Sequence, residues 1–165
     1  ATYLTPTKKF TFNCAGHPPP LYYSQKDQQW STLMFNQSEA SVPLTNLPLG
    51  VTDETHYELY EKVLDEGDFV LLFTDGLMEA EDRTGKVLGI GGLLNLLNKM
   101  PLPNGADLIP DLLETVRSQT GDSLQRDDLT LILCQTKKSE VNLMSNLLAP
   151  YRMLQAMLRQ DHEDD

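Results

Sequence analysis

The chain has little of several features that would place it in a special class of protein. It has only two cysteines, Cys14 and Cys134, whereas a disulfide scaffold uses cysteine densely. We therefore predict two reduced thiols in a cytoplasmic protein. No apolar run approaches the ~18 residues of a membrane helix, and the first residues lack the basic and apolar regions of a signal peptide. The first residue is Ala1 rather than Met, so we expect a trimmed or partial chain.

Positive charge is also scarce. Thirteen lysines and arginines face 24 aspartates and glutamates, which gives a formal net charge of −11. Nucleic-acid phosphates would be repelled by such a chain, so we predict no nucleic-acid partner and no membrane contact in this segment. The acidic balance is compatible with a divalent-cation site and equally with any acidic soluble protein. With 165 residues, 40% of them hydrophobic, the chain is long enough for one domain with a core.

Familiar catalytic motifs are absent as well. The sequence contains no serine or cysteine nucleophile motif and no phosphate-binding glycine loop. Gly89-Ile90-Gly91-Gly92 lacks the spacing of a dinucleotide-binding fingerprint, so we expect it to begin a helix.

The hydrophobic pattern predicts a mixture of strands and helices. Alternation favours strands around a turn in 2–13, and a short strand at 21–23. Residues 25–39 are polar around Trp30 and predict a loop or an irregular hairpin. The continuous apolar run at 69–73 has the length of a strand buried on both faces, and the mostly apolar segment 129–134 predicts another buried strand. Helical spacing is present in 90–97 and 108–116.

A different pattern begins at residue 139. An amphipathic stripe spans residues 144–158 and runs into an acidic tail. We predict a helical extension at 139–165, separate from a domain at 1–138. The stripe is expected to pack on this domain or on a second copy, which would make a homodimer.

Two carboxylates are placed where they could converge. Asp75 follows the apolar run at 69–73, and Asp127 precedes the run at 129–134. If these strands are antiparallel neighbours, both residues lie at the same edge of a sheet. Carboxylates held on rigid strands, with Gly76 allowing close backbone approach, suit a hard cation such as Mg²⁺ or Mn²⁺. Asp128 is a secondary candidate.

The same residues also fit ordinary turns. Asp-Gly is a common turn dipeptide, and two aspartates before a strand are a common loop. His17 could be a metal ligand or a general acid–base, but a histidine between Gly16 and three prolines more often braces a loop.

Several segments together resemble a known family. They follow one another in this order: Asn13-Cys14-Ala15-Gly16-His17-Pro18-Pro19-Pro20, Leu47-Pro48-Leu49-Gly50, Gly67-Asp68, Leu72-Phe73-Thr74-Asp75-Gly76-Leu77-Met78-Glu79-Ala80 and Asp127-Asp128-Leu129-Thr130-Leu131. This order resembles the second half of the protein phosphatase 2C-like domain, in the bacterial branch typified by stage II sporulation protein E and the stress-response sigma-factor regulators.

The resemblance implies an α+β fold, in which a β-sandwich is flanked by helices in α-β-β-α layers. It implies two Mn²⁺ or Mg²⁺ ions that activate a water for attack on a phosphoserine or phosphothreonine. Asp75 and Asp127 match metal ligands, Gly76 shapes the turn, and Asn13, Gly16 and His17 belong to a structural motif. The family's first half, which supplies the bridging ligand, has no counterpart here.

Two functions therefore stay open. The first is a metal-dependent serine/threonine phosphoprotein phosphatase acting on a phosphoprotein substrate, such as an anti-sigma-factor antagonist. This chain would be its C-terminal part, inactive alone. The second is a catalytically incomplete, phosphatase-like module that binds partners.

Overall fold

Two antiparallel sheets organise the chain. The computed structural model describes residues 1–33, 47–52, 55–101, 105–125 and 128–138. A three-stranded sheet has the order β1-β2-β5, and a four-stranded sheet has the order β4-β3-β6-β7. The strands are β1 (Thr2–Leu4), β2 (Lys9–Phe12), β3 (Leu21–Ser24), β4 (Gln29–Thr32), β5 (Tyr60–Val63), β6 (Phe69–Phe73) and β7 (Leu131–Gln135).

Three helices lie among the described residues. They are α1 (Gly76–Glu79), α2 (Gly89–Leu97) and α3 (Leu108–Thr120), and a 3₁₀ turn (Gly121–Gln125) follows α3. The predicted helices at 90–97 and 108–116 are thus confirmed, and α2 does begin at the glycine-rich segment. Pro110 is tolerated because it lies in the first turn of α3, where backbone N–H groups have no helical partner.

The buried strand β6 separates the two halves of the core. Val70 and Leu72 face the three-stranded sheet, where they join a cluster with Phe10, Phe12 and Tyr22. The alternate residues Phe69, Leu71 and Phe73 face the helices. The helix-side core is completed by Leu21, Tyr23, Trp30, Leu77, Ala80, Leu93, Leu96, Leu97, Leu108, Leu112, Val116 and Leu124. The prediction of a strand buried on both faces is therefore confirmed for 69–73.

The second apolar run behaves differently. The structure forms β7 at Leu131–Gln135, and it is the outer strand of the described sheet. Leu131 and Leu133 pack against the helix-side core, but Ile132 is 52% exposed and Cys134 is exposed. The prediction of a strand within 129–134 is confirmed, but its predicted burial was wrong, because the inter-sheet face of β7 is not covered by the described residues.

The polar stretch around Trp30 forms a regular hairpin. β4 pairs with β3, with Tyr23 opposite Trp30. Trp30 is 2% exposed, and its backbone is held by Asn98 just after α2. The Trp30 backbone N–H donates to Asn98 Oδ1 (2.7 Å), and Asn98 Nδ2 donates to the Trp30 carbonyl (3.2 Å). This reciprocal pair fixes α2 on the sheet.

A buried carboxylate ties three segments together at one end of β6. Asp68 is 1% exposed. Its Oδ2 accepts hydrogen bonds from the Tyr22 hydroxyl (2.8 Å) and the Asp65 N–H (2.7 Å), and its Oδ1 accepts one from the Gln25 N–H (2.9 Å). Its own carbonyl accepts from the Thr136 N–H (2.9 Å). Asp68 thus joins β3, the turn before β6 and the end of β7.

The described residues account for the sandwich and one helical layer of the predicted fold class. Val63, on the outer face of the three-stranded sheet, is 58% exposed, and no described helix covers it. Residues 139–165, with the stripe expected to pack as a helix or join two copies, lie outside the described residues. Within the described ranges, no helix is long and apolar enough to span a bilayer.

We expect the contact between Tyr22 and Asp68 to make the fold sensitive to alkali. Burial and then the hydrogen bond to Asp68 raise the pKa of Tyr22 to about 12, from 10.0. The folded state keeps a proton that the unfolded state releases, so this contribution to stability is complete below about pH 10. It should be lost progressively between about pH 10 and 12.

Urea unfolding at several pH values measures this loss. Tyr22→Phe should flatten the fall in the free energy of unfolding across that window relative to the unsubstituted chain. Tyr3→Phe is the matched control because Tyr3 is 39% exposed, and it should leave the slope unchanged. Equal slopes in all three proteins would contradict the role given to Tyr22.

Candidate functional site

A threonine fastens the two strand ends that were predicted to carry the site. Phe73 at the end of β6 is paired with Leu131 at the start of β7. Beyond this pair, the Thr74 N–H donates to the Thr130 carbonyl (3.1 Å), and the Thr130 N–H donates to Thr74 Oγ1 (2.9 Å). Thr74 Oγ1 also donates to the Asp128 carbonyl (3.0 Å). The expected antiparallel neighbours are confirmed, and one side chain closes their shared edge.

Asp75 projects from this edge. It precedes the short helix α1, and its carbonyl accepts from the Met78 N–H (2.8 Å) and the Glu79 N–H (3.0 Å). The side chain makes no capping hydrogen bond and is exposed. Gly76 and Leu77 directly after it are buried, so the backbone turns into the core at once. The carboxylate of Asp75 is thus exposed at the start of α1 and is not used as a helix cap.

The structure describes the neighbour of the second predicted ligand, but not that ligand itself. Asp127 lies outside the described residues, so its predicted meeting with Asp75 stays a prediction. Asp128, the secondary candidate, is exposed, and its carbonyl is the group bound by Thr74. The structure therefore brings Asp75 and Asp128 to the same edge of the sheet.

The segment Asn13–Pro20 lies beside that edge. Asn13 Nδ2 donates to the Glu58 carbonyl (3.0 Å), which anchors the segment just before β5. Gly16 has a φ of +77°, and an added Cβ would lie 2.5 Å from Pro48 Cγ. Only glycine fits such a contact without displacement, because L side chains also disfavour this φ. Two of the segments that carried the family resemblance thus contact each other here.

A cavity of about 280 Å³ joins this segment to the strand edge. His17 is exposed and lines the cavity, as do Asn13 and Cys14 on one side and Thr74 and Thr130 on the other. Cys14 is buried, and burial raises the pKa of its thiol. Both cysteines are free, as predicted.

The donor set at the edge fits a hard cation in part. Asp75 and Asp128 offer exposed carboxylate oxygens, the ligand type that Mg²⁺ and Mn²⁺ prefer. Within the part of the chain that the structure describes, no group of three or more His, Cys, Asp or Glu side chains could hold a metal ion. The described residues therefore place two exposed acidic residues at this end of the sheet, without a complete metal-binding group.

Sequence reasoning missed the polar contacts that hold the two ends of β6. Thr74 and Asp68 were quoted only as parts of motifs, without a contact for either side chain. The available signal was their position, since each directly flanks a continuous apolar strand. A polar residue there must find a partner when the strand is buried.

Comparison with known proteins places the chain in a family. The model of the stage II sporulation protein E (SpoIIE) family matches residues 1–137. The chain therefore belongs to the SpoIIE family. This confirms the resemblance based on the ordered motifs.

Relatives of this SpoIIE family member are phosphatases. Phosphoserine phosphatase RsbU of Bacillus subtilis (strain 168) is 29% identical over 137 residues. Among solved structures, the Mn-presoaked phosphatase domain of SpoIIE from Bacillus subtilis has a TM-score of 0.57 at 18% identity. The SiaA-PP2C domain of Pseudomonas aeruginosa has a TM-score of 0.61 at 17% identity. These two structures confirm the phosphatase 2C-type fold.

The chain spans only part of each relative. The matched regions cover 83% of this SpoIIE family member but 38% of RsbU. For the SpoIIE phosphatase domain the two shares are 84% and 55%, and for the SiaA domain they are 79% and 48%. The chain thus corresponds to about half of a phosphatase domain of this type.

We expect Gly16→Ala to destabilise the fold by about 2–5 kcal/mol, because the new methyl group meets Pro48 and the backbone must keep a positive φ. Gly85→Ala is the matched control, since Gly85 has a φ of +80° but no atom within 4 Å of the added Cβ. It should cost only about 1–2 kcal/mol. Urea unfolding measures both values, and equal losses would show that the Pro48 contact is not tight.

Proposed function

We propose that residues 1–138 form the C-terminal part of a metal-dependent phosphatase domain that hydrolyses phosphoserine or phosphothreonine in a protein substrate. Membership of the SpoIIE family over residues 1–137 carries this proposal, because the motifs that match include both strand ends at the candidate site. The substrate, by analogy with the sigma-factor regulators that the motifs resemble, is an anti-sigma-factor antagonist in a bacterial cytoplasm.

Asp75 and Asp127 are proposed to hold one Mn²⁺ or Mg²⁺ ion of a two-ion site, with Asp128 as a weaker contributor. The SpoIIE phosphatase domain from Bacillus subtilis was presoaked with Mn, which supports a manganese ion for that relative. When bound, the two ions supply an activated water and neutralise phosphoryl oxygens. The chain's own contribution is positional. Thr74 fixes the backbone on both sides of the edge, and Asp75 lies at the start of α1 without capping it.

The chain alone is proposed to be an incomplete enzyme. It covers 55% of the SpoIIE phosphatase domain, and its described residues do not group three metal-binding side chains. Mg²⁺ gives up its waters reluctantly, so two carboxylates would bind it weakly. Pairing of two copies through 144–158 is a separate prediction that the described residues do not support.

In the longer protein, Asp75→Asn should lower kcat/KM for a phosphoserine peptide by at least ~100-fold. Changes beyond the direct ligands of a metal already cost about 10–100-fold, and loss of a charged ligand should cost no less. Asp127→Asn should have a similar effect, since both carboxylates would bind the same ion. Hydrolysis is measured with added Mn²⁺.

The control for this series is Asp111→Asn, which makes the same chemical change on the exposed face of α3. It should retain activity. Full activity in Asp75→Asn would contradict the proposed metal role and the assignment of the site.

The isolated 165-residue chain should show no measurable turnover of the same peptide and only weak, rapidly exchanging Mn²⁺ binding by calorimetry. The physical reason is the absence of a bridging ligand for a second ion. Turnover comparable to that of the longer protein would show that the described edge is a complete site. Retained partner binding without turnover in the longer protein would favour the alternative, a phosphatase-like binding module.

A further inference from the structure

An exposed lysine lies on the inter-sheet face of the edge strand β5. Lys62 lies opposite Phe10, and Tyr60 lies opposite Phe12, in the antiparallel pair of β2 and β5. Residues directly opposite each other project on the same face of a sheet. Phe10 and Phe12 are buried against the four-stranded sheet, so Lys62 extends toward that sheet as well. Its Nζ lies 4.6 Å from the centroid of the Tyr22 ring.

Polar side chains form the wall that Lys62 faces. Tyr22 and Ser24 on β3 lie opposite Ser31 and Gln29 on β4, so all four share the inter-sheet face. Together with Asp27, Thr32, Leu33 and Lys62 they line a cleft of about 360 Å³. The cleft opens beside β4, at the other side of the four-stranded sheet from β7. It is therefore distinct from the edge that carries Asp75.

The two charges in this cleft are not paired with each other. Asp27 Oδ2 accepts from the Ser24 hydroxyl (2.7 Å), and the Asp27 N–H donates to Ser24 Oγ (3.1 Å). Among the described residues, the ion pair formed is Lys9 with Glu61, and no described carboxylate lies within 4.0 Å of Lys62 Nζ. The ammonium group is held by an aromatic face, which leaves its three donors available.

We propose that this cleft binds a small polar ligand through an anionic phosphate or carboxylate group at Lys62, with Asp27 accepting a hydrogen bond from an ammonium or hydroxyl group of the same ligand. In a chain of net charge −11, an anion needs a local cation to approach, and Lys62 supplies it. The hydroxyl of Ser31 and the amide of Gln29 supply further donors. The cleft volume exceeds that of an amino acid and lies within the range of small-molecule sites.

Lys62 also has a purely structural reason to face inward. A charged residue pointing inward on an edge strand discourages pairing with strands of other molecules. That role alone predicts that loss of the charge promotes self-association and leaves ligand binding unchanged. A ligand titration of the protein and its Lys62 variants therefore distinguishes the two roles.

The test is an amide NMR titration of the 165-residue chain with O-phosphoserine, which carries phosphate, carboxylate and ammonium groups, and in parallel with inorganic phosphate. A chelator is present throughout, so that metal at the Asp75 edge contributes nothing. We expect saturable shifts at Ser24, Ser31 and Lys62, with a phosphoserine dissociation constant on the order of 1 mM.

Substitutions then test which side chains bind the ligand. Lys62→Gln should weaken phosphoserine binding at least about tenfold, equivalent to about 1.4 kcal/mol, and Lys62→Arg should restore most of it. Ser31→Ala, at an exposed position, should weaken it less. Lys99→Gln removes the same charge from an exposed site just after α2 and should change nothing. Asp27→Asn should strengthen binding of inorganic phosphate while reducing the preference for phosphoserine.

Three results would overturn the proposal. They are the absence of saturable shifts, shifts centred on Thr74 and Asp75 rather than on the cleft, and equal affinity of Lys62→Gln and the unsubstituted chain. Retained spectral dispersion in Lys62→Gln shows that weakened binding does not reflect unfolding. None of these outcomes depends on phosphatase activity, so the cleft can fail while the proposed function stands.

Discussion

The carboxylate of Asp68 is the constraint on which the rest of the sheet depends. A buried carboxylate without donors would be strongly unfavourable, and here three donors from β3, from Gln25 just after it and from the turn before β6 surround it. Because its carbonyl also binds Thr136, the same residue sets where β7 ends. Thr74 makes the corresponding hydrogen bonds at the other end of β6. The strand is fixed at both ends, and the position of Asp75 follows from that.

The sequence predicted elements best where burial was uniform. The run at 69–73 and the helices at 90–97 and 108–116 each have one environment along each face. Their hydrophobic pattern was therefore sufficient to predict the type of element. The segment 129–134 is also mostly apolar, yet Ile132 is exposed, because burial depends on what lies beside a strand. β4 was not predicted as a regular strand, because most of its residues are polar. Only Trp30 packs into the core there, and its partner Asn98 is distant in sequence.

The candidate site was predictable to the extent that it is encoded in motif order. The order of the segments identified the family and pointed to Asp75 as a ligand, which spacing alone left open between a metal site and a turn. The hydrogen bonds of Thr74 could not be predicted, because its hydroxyl joins two segments that are close together only in the folded chain. Lys62 was missed for a related reason. Its neighbours in sequence are ordinary strand residues, and only pairing with Phe10 shows which face it occupies.

The exposed outer strand β7 has a consequence for how an active centre of this kind is assembled. Among the described residues β7 pairs only with β6, so its other side can pair with an added strand, and Thr74 and Thr130 define the reference point of that pairing. A strand offset by one residue would present every side chain to the opposite face. A ligand carried on it would then point away from Asp75, although the sheet would be complete. The register in which the added strand pairs, more than the affinity of that pairing, would decide whether the assembled domain is active.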